Sequence, residues 1–335
     1  MNIKSLESWY EKNHRKLPFR ENRNPYSIWV SEIMLQQTQV ETVLPFFERF
    51  MKKYPDITAL AQSNEDELAS LVEGLGYYRR FKNMRLAAIV MLEKFQGDFP
   101  KSYEDIISLP GIGAYTAGAI TSISYNLPYS ALDGNVIRVL SRYLGIDDDF
   151  RIEKNRKKLN HINQSYIEKA NPNVYTQAMM ELGALICRPK NAKCDICPLQ
   201  ENCVAFHDNR VLELPYLTPI KKQKEFYYIT LLISTADGIY VRKRTESLLE
   251  GLYEYPQFLN ENIFNVTDEL EEKGISINVI SSPLMYKHVF SHQIWYMHVY
   301  EATLLSKPDS SWILIPFTKI LETPMAIAHR KIKIK

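Results

Sequence analysis

Residues 104–125 read EDIISLPGIGAYTAGAITSISY: a short helical stretch, a break at residues 110–113, and a second stretch whose apolar residues recur at helical spacing. This order predicts a helix-hairpin-helix. Gly111 and Gly113 allow the backbone to approach a ligand closely, and the free N–H groups at the start of the second helix form a site for an anion such as a phosphate. The alternative is an ordinary corner between two helices, in which Pro110 only ends the first one.

Downstream of the hairpin, all four cysteines lie in the segment CRPKNAKCDICPLQENC, with the spacing C-x6-C-x2-C-x5-C. Disulfides are rare in a large chain without a secretory signal, so the clustering favours metal ligation. Four thiolates suit tetrahedral zinc or an iron–sulfur cluster. Zinc sites usually contain two C-x2-C turns, whereas only one occurs here, so the spacing favours a [4Fe-4S] cluster. The predicted ligands are Cys187, Cys194, Cys197 and Cys203.

The loop between the first two cysteines is basic. It contains Arg188, Lys190 and Lys193 on one short segment. A loop that a metal centre braces can hold such cations against phosphate groups, which is the functional interpretation. The alternative is a solvated basic loop with no ligand.

Two carboxyl groups are predicted to lie in opposite environments. Glu32 is the single acid in the apolar helical run SIWVSEIML, so burial is expected to raise its pKa and let it act as a general acid. Asp133 precedes a helical run that starts near Val136, so it is expected to cap that helix and to stay ionised. A pair with opposed pKa values suits hydrolysis at a glycosidic centre. The alternatives are a surface acid at position 32 and a simple cap at 133.

Composition sets broader limits. The chain has 335 residues, of which 45% are hydrophobic, enough for about two domains. No apolar run approaches the ~20 residues of a membrane span, and the N-terminus has no signal-peptide pattern, so we expect a cytoplasmic, nucleoid-associated protein. Residues 1–224 hold 30 Lys and Arg against 26 Asp and Glu, and residues 225–335 hold 11 against 13. This small excess does not decide for or against nucleic acid.

The motifs over residues 1 to about 210 resemble the endonuclease III superfamily and, within it, the MutY family of adenine DNA glycosylases. The matching segments are WVSEIMLQQTQVETV, EGLGYYRR, LPGIGAYTAGAI, LDGNVIRVLSR, QAMMELGALIC and the four-cysteine loop. The resemblance implies that Glu32 protonates adenine and helps to activate water. It also implies that Asp133 stabilises the oxocarbenium-like sugar, with a transient covalent bond to it, while Tyr115 supports this intermediate and Asn135 bonds within the site.

The same resemblance places Gln37, Thr38 and Leu75 against the lesion strand and makes Tyr77 a wedge that enters the base stack where adenine leaves. Tyr78 is expected to pack in the interior instead. Strand-cleaving relatives carry a lysine where this chain has Tyr115, so a monofunctional enzyme is expected.

The last third of the chain has a different pattern. The segment VLELPYLTPIKKQKEF at residues 211–226 is predicted to be an exposed linker. Beyond it, FYYITLLIS and IYVRKR predict a β-hairpin, NVTDELEEKG a helix, and IWYMHVYEATLL another strand. This α/β portion resembles a Nudix-like domain that reads 8-oxoguanine, although ELEEKG is only a remnant of the acidic Nudix helix. By that resemblance Phe290, Ser291 and His292 form the lesion-reading loop.

Together these features predict a multidomain α and α+β protein. An all-α helix-hairpin-helix glycosylase domain at residues 1–207 includes the hairpin (104–125) and the cluster loop (187–203), a linker spans 208–224, and the Nudix-like domain spans 225–335. We expect a monomer that excises adenine opposite 8-oxoguanine or guanine in duplex DNA. The alternatives are a thymine or uracil mismatch glycosylase, a non-catalytic iron–sulfur DNA-binding protein, and a Nudix hydrolase with a helical appendage.

Overall fold

Helices dominate the first two thirds of the chain and strands the last third. The computed structural model describes residues 1–218 and 222–334. Within these residues the α-helices are α1 (Ile3–Asn13), α2 (Pro25–Leu35), α3 (Val40–Lys53), α4 (Ile57–Ala61), α5 (Glu65–Leu71), α6 (Arg79–Phe95), α7 (Tyr103–Ile107), α8 (Ala114–Tyr125), α9 (Gly134–Leu144), α10 (Glu153–Ile167), α11 (Pro172–Leu185), α12 (Val204–His207), α13 (Ile263–Glu272) and α14 (Ile327–Arg330).

All strands in the described part of the chain follow residue 223. They are β1 (Lys224–Ile233), β2 (Ile239–Lys243), β3 (Tyr253–Glu254), β4 (Gln257–Leu259), β5 (Ile277–Val279), β6 (Leu284–Val289), β7 (Gln293–Leu304) and β8 (Trp312–Ile315). The predicted combination of a helical part with a C-terminal α/β part is therefore confirmed. Among the described residues, no helix has the length and apolar content that a membrane span needs.

The chain divides into two units. The first contains Met1–Gln62 and Asn83–Pro219, and the second contains Ser63–Lys82 and Ile220–Lys335. Ser63–Lys82, which the sequence interpretation places in the helical domain, thus groups with the C-terminal residues.

Helix α11 lies at the centre of the first unit, where it packs against α1, α8 and α9. Its buried side chains share one core with those of α9, represented by Leu182 and Leu140. Removal of this apolar surface from water is the main stabilising contribution to such a core. Helix α2 packs against α3 and α8, which brings the helix that carries Glu32 beside the second helix of the hairpin.

The predicted hairpin forms, with α7 and α8 joined by residues 108–113. Gly111 has a φ of +76°, and a Cβ there would lie 2.6 Å from that of Asn83. Both the backbone conformation and the lack of space therefore require glycine at this position. Helix α8 begins without a side-chain cap, which leaves its first N–H groups available to a ligand. Within α8, a Cβ on Gly118 would lie 2.1 Å from the carbonyl oxygen of Ser130, so this helix almost touches the loop that leads to Asp133.

The second unit contains two sheets. The larger sheet has the order β4-β1-β7-β5, with β6 also paired to β7, and the smaller sheet has the order β3-β2-β8. The long strands β1 and β7 are parallel, with Tyr228 opposite Met297. Helix α13 contributes Val266 and Leu270 to the core on one face of the larger sheet, and Trp295 belongs to the core on the other face.

The prediction of a β-hairpin at residues 226–244 is wrong, because its two strands are not neighbours in one sheet. The turn exists, because Thr235 N–H donates to the Gly238 carbonyl, but β1 and β2 enter different sheets. Strand β1 pairs with β4 and β7, whereas β2 pairs with β3 and β8. Turn chemistry is local, and it does not determine which strand becomes the neighbour across a sheet.

The segment predicted as a linker differs from an exposed chain at its start. Leu214 is only 2% exposed, and its carbonyl accepts a hydrogen bond from Arg142 Nε at 2.8 Å. Asp149 Oδ2 accepts from the Thr218 N–H at 3.1 Å, so residues up to 218 are fastened to the first unit. Residues 219–221 of the linker lie outside the described residues.

Candidate active site

Residues from five parts of the first unit line one cavity of about 750 Å³. All four predicted catalytic residues are among them: Glu32, Tyr115, Asp133 and Asn135. The wall also includes Gln37 and Thr38, which the sequence interpretation placed against DNA. These six residues are therefore brought together, although they span about a hundred positions in the sequence.

Glu32 lies on α2 and is 1% exposed, as its apolar neighbours predicted. Helix α2 begins where Asn24 accepts hydrogen bonds from the N–H groups of Tyr26 and Ser27, with Pro25 in the first helical position. This start fixes the register of the helix and hence the side on which Glu32 lies.

Both oxygens of Glu32 accept hydrogen bonds. The Arg20 guanidinium donates to Oε1, and the Tyr115 hydroxyl donates to Oε2. The sequence predicted the burial of Glu32 but not its contact with Arg20. The role of Glu32 as a general acid stays a prediction.

Arg20 reaches the site from a short turn. Residues Pro18–Arg20 form a single 3-10 turn, and the buried Phe19 ring packs edge-on against Phe47 with 5.4 Å between ring centroids. The anchored ring directs the next side chain inward, where Arg20 is only 13% exposed. No periodic pattern links positions 20 and 32, so sequence reasoning had no signal for this pair.

Asp133 caps α9, as predicted. Its Oδ1 accepts from the Val136 N–H at 2.7 Å, and its Oδ2 accepts from Asn135 Nδ2 at 3.0 Å. The pKa is nevertheless raised, because removal from water outweighs these hydrogen bonds and the charge of Glu32 adds to the effect. The cap lowers the pKa as expected, but the net shift is upward because the carboxyl lies buried in the cavity beside a second acid. The ionised state expected for Asp133 stays a prediction.

Tyr115 connects the two acids electrostatically. Removal from water raises the pKa of its hydroxyl well above the ordinary value, and the charges of Glu32 and Asp133 raise it further. The hydroxyl consequently stays protonated at neutral pH and can donate to Glu32.

Arg138 holds the first turn of α9, which contains Asn135. Its Nη2 donates to Asn135 Oδ1 and to the Gly183 carbonyl, each at 2.8 Å, and its Nε donates to the Cys187 carbonyl at 2.7 Å. One guanidinium thus joins α9, the end of α11 and the first cysteine. The sequence interpretation assigned no role to Arg138, because all of these partners except Asn135 are more than forty positions away.

The lining of the cavity also contains a second ion pair that sequence reasoning missed. Arg15 Nη2 and Nε donate to the two carboxylate oxygens of Glu181, at 2.7 and 3.0 Å. The buried Gln177 lies one turn earlier on α11. Gln177 and Glu181 both fall in the quoted motif QAMMELGALIC, so their spacing of four was the available signal.

The four cysteines line a separate small cavity of about 30 Å³. No group of three or more His, Cys, Asp or Glu side chains in the described part of the chain is arranged for a single metal ion. Four thiols around one cavity are the ligand set of an iron–sulfur cluster as well as of a structural zinc site. Burial and the neighbouring thiols raise the pKa of Cys197 to about 12, so thiolate ligation there requires a compensating positive charge.

The cysteine loop is fastened from α9. Arg142 Nη1 donates to the Arg188 carbonyl at 2.8 Å and lies 3.4 Å from Cys187 Sγ, and its Nη2 donates to the Pro189 carbonyl at 2.9 Å. The side chains of Arg188 and Lys190 are exposed on this loop.

The remaining predicted site residues belong to the second unit. Tyr77 is 52% exposed, and its hydroxyl lies 3.1 Å from Ser291 Oγ, which brings the predicted wedge and the predicted lesion reader together. His292 Nδ1 lies 3.4 Å from the same oxygen. Phe290 packs against Trp295, with 4.8 Å between ring centroids, so it anchors the loop.

Two residues near the wedge are buried. Tyr78 is 7% exposed, which confirms the interior position expected for it. Leu75 is 5% exposed, so its side chain offers little surface to a DNA strand in this conformation. The predicted contact of Leu75 with DNA therefore gains no support from this conformation, because the loop turns the Leu75 side chain inward and the Tyr77 side chain outward.

Comparison with known proteins matches two families to two separate parts of the chain. The family described as "HhH-GPD superfamily base excision DNA repair protein" matches residues 30–169, and the NUDIX domain family matches residues 228–335. The adenine DNA glycosylase of Buchnera aphidicola subsp. Acyrthosiphon pisum (strain APS) is 40% identical over 296 residues, which are 87% of this chain and 83% of that protein. The chain belongs to the adenine DNA glycosylase family.

A more distant adenine DNA glycosylase, from Mus musculus, is 39% identical over 60% of this chain and 41% of its own length. Among solved structures, a thermostable thymine-DNA glycosylase is similar with a TM-score of 0.56 at 24% identity, covering 62% of this chain and 95% of that one. An endonuclease III–DNA complex has a TM-score of 0.52 at 20% identity, with 62% and 94% coverage. At such identities the structural likeness shows the fold alone.

Proposed function

We propose that this adenine DNA glycosylase excises adenine mispaired with 8-oxoguanine, or less efficiently with guanine, from duplex DNA and leaves an abasic site. The observation that carries the proposal is the joint presence of Glu32, Tyr115 and Asp133 around one cavity of about 750 Å³. A pocket of that size accepts a nucleoside turned out of the base stack.

Glu32 is proposed as the general acid. In the free enzyme both of its oxygens are engaged by Arg20 and Tyr115. Entry of adenine has to loosen one of these contacts before Glu32 can take up a proton and pass it to a ring nitrogen. The protonated base is the better leaving group, and the resulting carboxylate then accepts a proton from the attacking water.

Asp133 is proposed to offset the positive charge that develops on the sugar as the glycosidic bond breaks. Ionised Asp133 can also bond transiently to the anomeric carbon, and water then displaces it to give the abasic sugar. Asn135 orients Asp133 through the 3.0 Å hydrogen bond. Tyr115 occupies the position of the lysine in strand-cleaving relatives, so no imine forms and the strand stays intact.

Several residues are proposed to contact the duplex. The glycines of the hairpin, Gly111 and Gly113, open the uncapped start of α8 to a phosphate. Arg188 and Lys190 present cations from the cysteine loop.

Recognition of the opposite base is assigned to the second unit. Ser291 is proposed to bond 8-oxoguanine through its hydroxyl, with His292 beside it, while Tyr77 enters the stack from which adenine departs. Their support is the 3.1 Å contact between Tyr77 and Ser291 and the exposure of the Tyr77 ring. Gln37 and Thr38 are proposed to contact the lesion strand at the mouth of the cavity, and Leu75 joins them only if the loop rearranges.

The four cysteines are proposed to hold a [4Fe-4S] cluster, which they fit as a converging set of thiols. When bound, such a cluster braces the loop and offsets the thiolate charges, and it takes no part in bond cleavage. We further propose that the enzyme acts as a monomer, with a catalytic domain at 1–207 from which Ser63–Lys82 is set apart, a linker at 208–224 that is fastened to the first unit up to residue 218, and a reading domain at 225–335.

The test is single-turnover excision on a labelled duplex with adenine opposite 8-oxoguanine. Strand breaks that appear only after alkali would support a monofunctional adenine glycosylase. Breaks without alkali would contradict the monofunctional assignment, and intact adenine would contradict the activity. A parallel duplex with thymine opposite guanine separates the mismatch-glycosylase alternative.

A further inference from the structure

Residues Ser63–Lys82 are packed apart from their neighbours in the sequence. On both sides the chain continues into the first unit, yet this segment belongs to the second unit with Ile220–Lys335. It contains α5 and the loop that ends at Tyr77. The contacts that hold it against the C-terminal residues therefore determine where Tyr77 lies relative to Ser291.

The strongest of these contacts is the ion pair between Glu73 and Arg330. Arg330 Nε donates to Glu73 Oε1 at 2.5 Å, and Arg330 Nη2 donates to Glu73 Oε2 at 2.7 Å. This is a two-pronged guanidinium–carboxylate pair, the geometry that gives both strength and orientation. The side chains of Arg330 and Glu73 are 25% and 22% exposed, so water screens them only partly.

Arg330 is also held in place by hydrogen bonds that do not involve Glu73. Its Nη1 donates to the Ile320 carbonyl at 2.8 Å, and its Nη2 also donates to the Thr323 carbonyl. Because these carbonyls fix the plane of the guanidinium, little side-chain entropy is lost when Glu73 binds it.

The loop from Glu73 to Tyr77 connects this ion pair to the proposed wedge. Gly74, Gly76 and Tyr77 have φ values of +103°, +68° and +50°, so the loop is a sequence of left-handed turns. It is closed internally, because Arg80 Nη2 donates to the Leu75 carbonyl at 3.0 Å and the Gly74 N–H donates to the Tyr78 hydroxyl at 3.0 Å. A loop closed in this way moves as one piece with Glu73, so the ion pair also fixes the position of Tyr77.

We propose that Glu73 and Arg330 form a positioning pair that fixes the Tyr77 wedge against the lesion-reading loop, so that recognition at Ser291 and insertion of Tyr77 occur as one event. The inference rests on the roles proposed above for Tyr77 and Ser291. The proposed role of Glu73 and Arg330 requires no contact of either residue with DNA. Their effect is on selectivity, because only a correctly read 8-oxoguanine benefits from a wedge placed at a fixed distance from the reader.

The principal variant is Glu73→Gln, which keeps the size of the side chain and leaves the carbonyl contacts of Arg330 intact. Arg330→Gln and the double variant complete a cycle. The matched control is Asp66→Asn, which breaks the 2.8 Å pair of Asp66 with Lys243 between the same two parts of the unit. That pair is 49% and 41% exposed, so its loss is expected to have little effect.

The first measurement is the ratio of single-turnover excision rates for adenine opposite 8-oxoguanine and opposite guanine. We expect Glu73→Gln to lower this ratio about tenfold, with the double variant no lower than the worse single one. An unchanged ratio in folded Glu73→Gln, additive losses in the double variant, or an equal loss in Asp66→Asn would overturn the proposal.

The second measurement is amide hydrogen exchange of residues 70–80 in the DNA-free protein. Faster exchange in Glu73→Gln but not in Asp66→Asn is expected, and unchanged exchange would overturn the anchor. This measurement needs no substrate. A wild-type enzyme with no preference for 8-oxoguanine over guanine would contradict the proposed function. The hydrogen-exchange result would still decide whether the Glu73–Arg330 pair holds the loop that contains Tyr77.

Discussion

Arg20 donates a hydrogen bond to the buried carboxylate of Glu32, and it comes from a turn twelve positions earlier in the chain. Replacement of that carboxylate by an amide should leave the site assembled, because Gln can still accept from Arg20. We expect Glu32→Gln to lower the rate of adenine excision by about 10²–10⁴-fold while DNA binding is retained, since only proton transfer is lost. Glu41→Gln, which alters another carboxyl of the same cavity, is the control. Turnover near the wild-type rate in Glu32→Gln would mean that another group is the acid.

Asp133 gives a pH-dependent prediction. Its pKa is raised above 3.8, so its ionised form is lost at a higher pH than for an ordinary aspartate, and excision should fall as the pH drops through that raised value. Asp133→Asn should be slow at every pH and lack this acid limb. The measurement is a single-turnover rate profile, and an identical limb in Asp133→Asn would assign it to another group.

Raising the pH is expected to lower the contribution of Asp133 to folding stability, whereas it is expected to increase the excision rate. A carboxyl whose pKa is raised by folding contributes fully below its unfolded pKa, and stability is lost as the pH rises through the raised folded value. The difference in unfolding free energy between Asp133→Asn and wild type should therefore shift in favour of the variant as pH rises. A shift in the other direction would show that the capping bonds outweigh burial.

Ser291 is expected to affect selectivity and to leave the chemistry unchanged. Ser291→Ala removes one hydroxyl, worth about 1 kcal/mol or a few-fold to tenfold in rate ratio. We expect a narrower preference for 8-oxoguanine over guanine, with Ser310→Ala as an exposed serine control from the same unit. A ratio equal to that of the wild type would remove Ser291 from lesion reading.

Arg138 should matter to both stability and activity. In Arg138→Met the carbonyls of Gly183 and Cys187 and the amide oxygen of Asn135 lose a donor, which should cost about 1–3 kcal/mol in urea unfolding. Excision should slow as well, because Asn135 orients Asp133. Arg138→Lys keeps the charge and should recover only part of either loss, since a point charge cannot reach three acceptors. Full recovery by lysine would make charge, and not the hydrogen bonds, the relevant property.

The cysteine loop can be tested by its metal content. Cys194→Ser should lose the visible absorbance and the iron of an iron–sulfur cluster and should unfold at a lower temperature. Asp195→Asn, the adjacent exposed residue, should keep both. A colourless wild type that contains zinc would reject the cluster.

Local features were the ones that the sequence predicted well. The cap at Asp133, the hairpin around Gly111 and the interior position of Glu32 each depend on neighbours within one or two helical turns, and all three are present. The strand pairing of β1 was mispredicted because its partner β7 lies some seventy residues further along the chain.

Within the site, the missing information was also long-range. Arg20, Arg138 and Glu181 act through partners that no sequence period connects to them. The direction of the Asp133 pKa shift could not be inferred from its cap, because the opposing effect comes from burial in the cavity and from the second acid. Similarly, nothing in the sequence pattern separates Ser63–Lys82 from the helices around it.

The near-contact of Gly118 with the Ser130 carbonyl has a consequence for inherited variation. A single methyl group would suffice at Gly118 to push the Asp133 loop away from the hairpin, whereas one at Gly113, beside the proposed phosphate site, meets no atom within 4 Å. Alanine in place of glycine in the middle of a buried helix is then expected to impair repair more severely than alanine at the proposed DNA-facing edge, so the harm of a variant cannot be ranked by its nearness to the substrate.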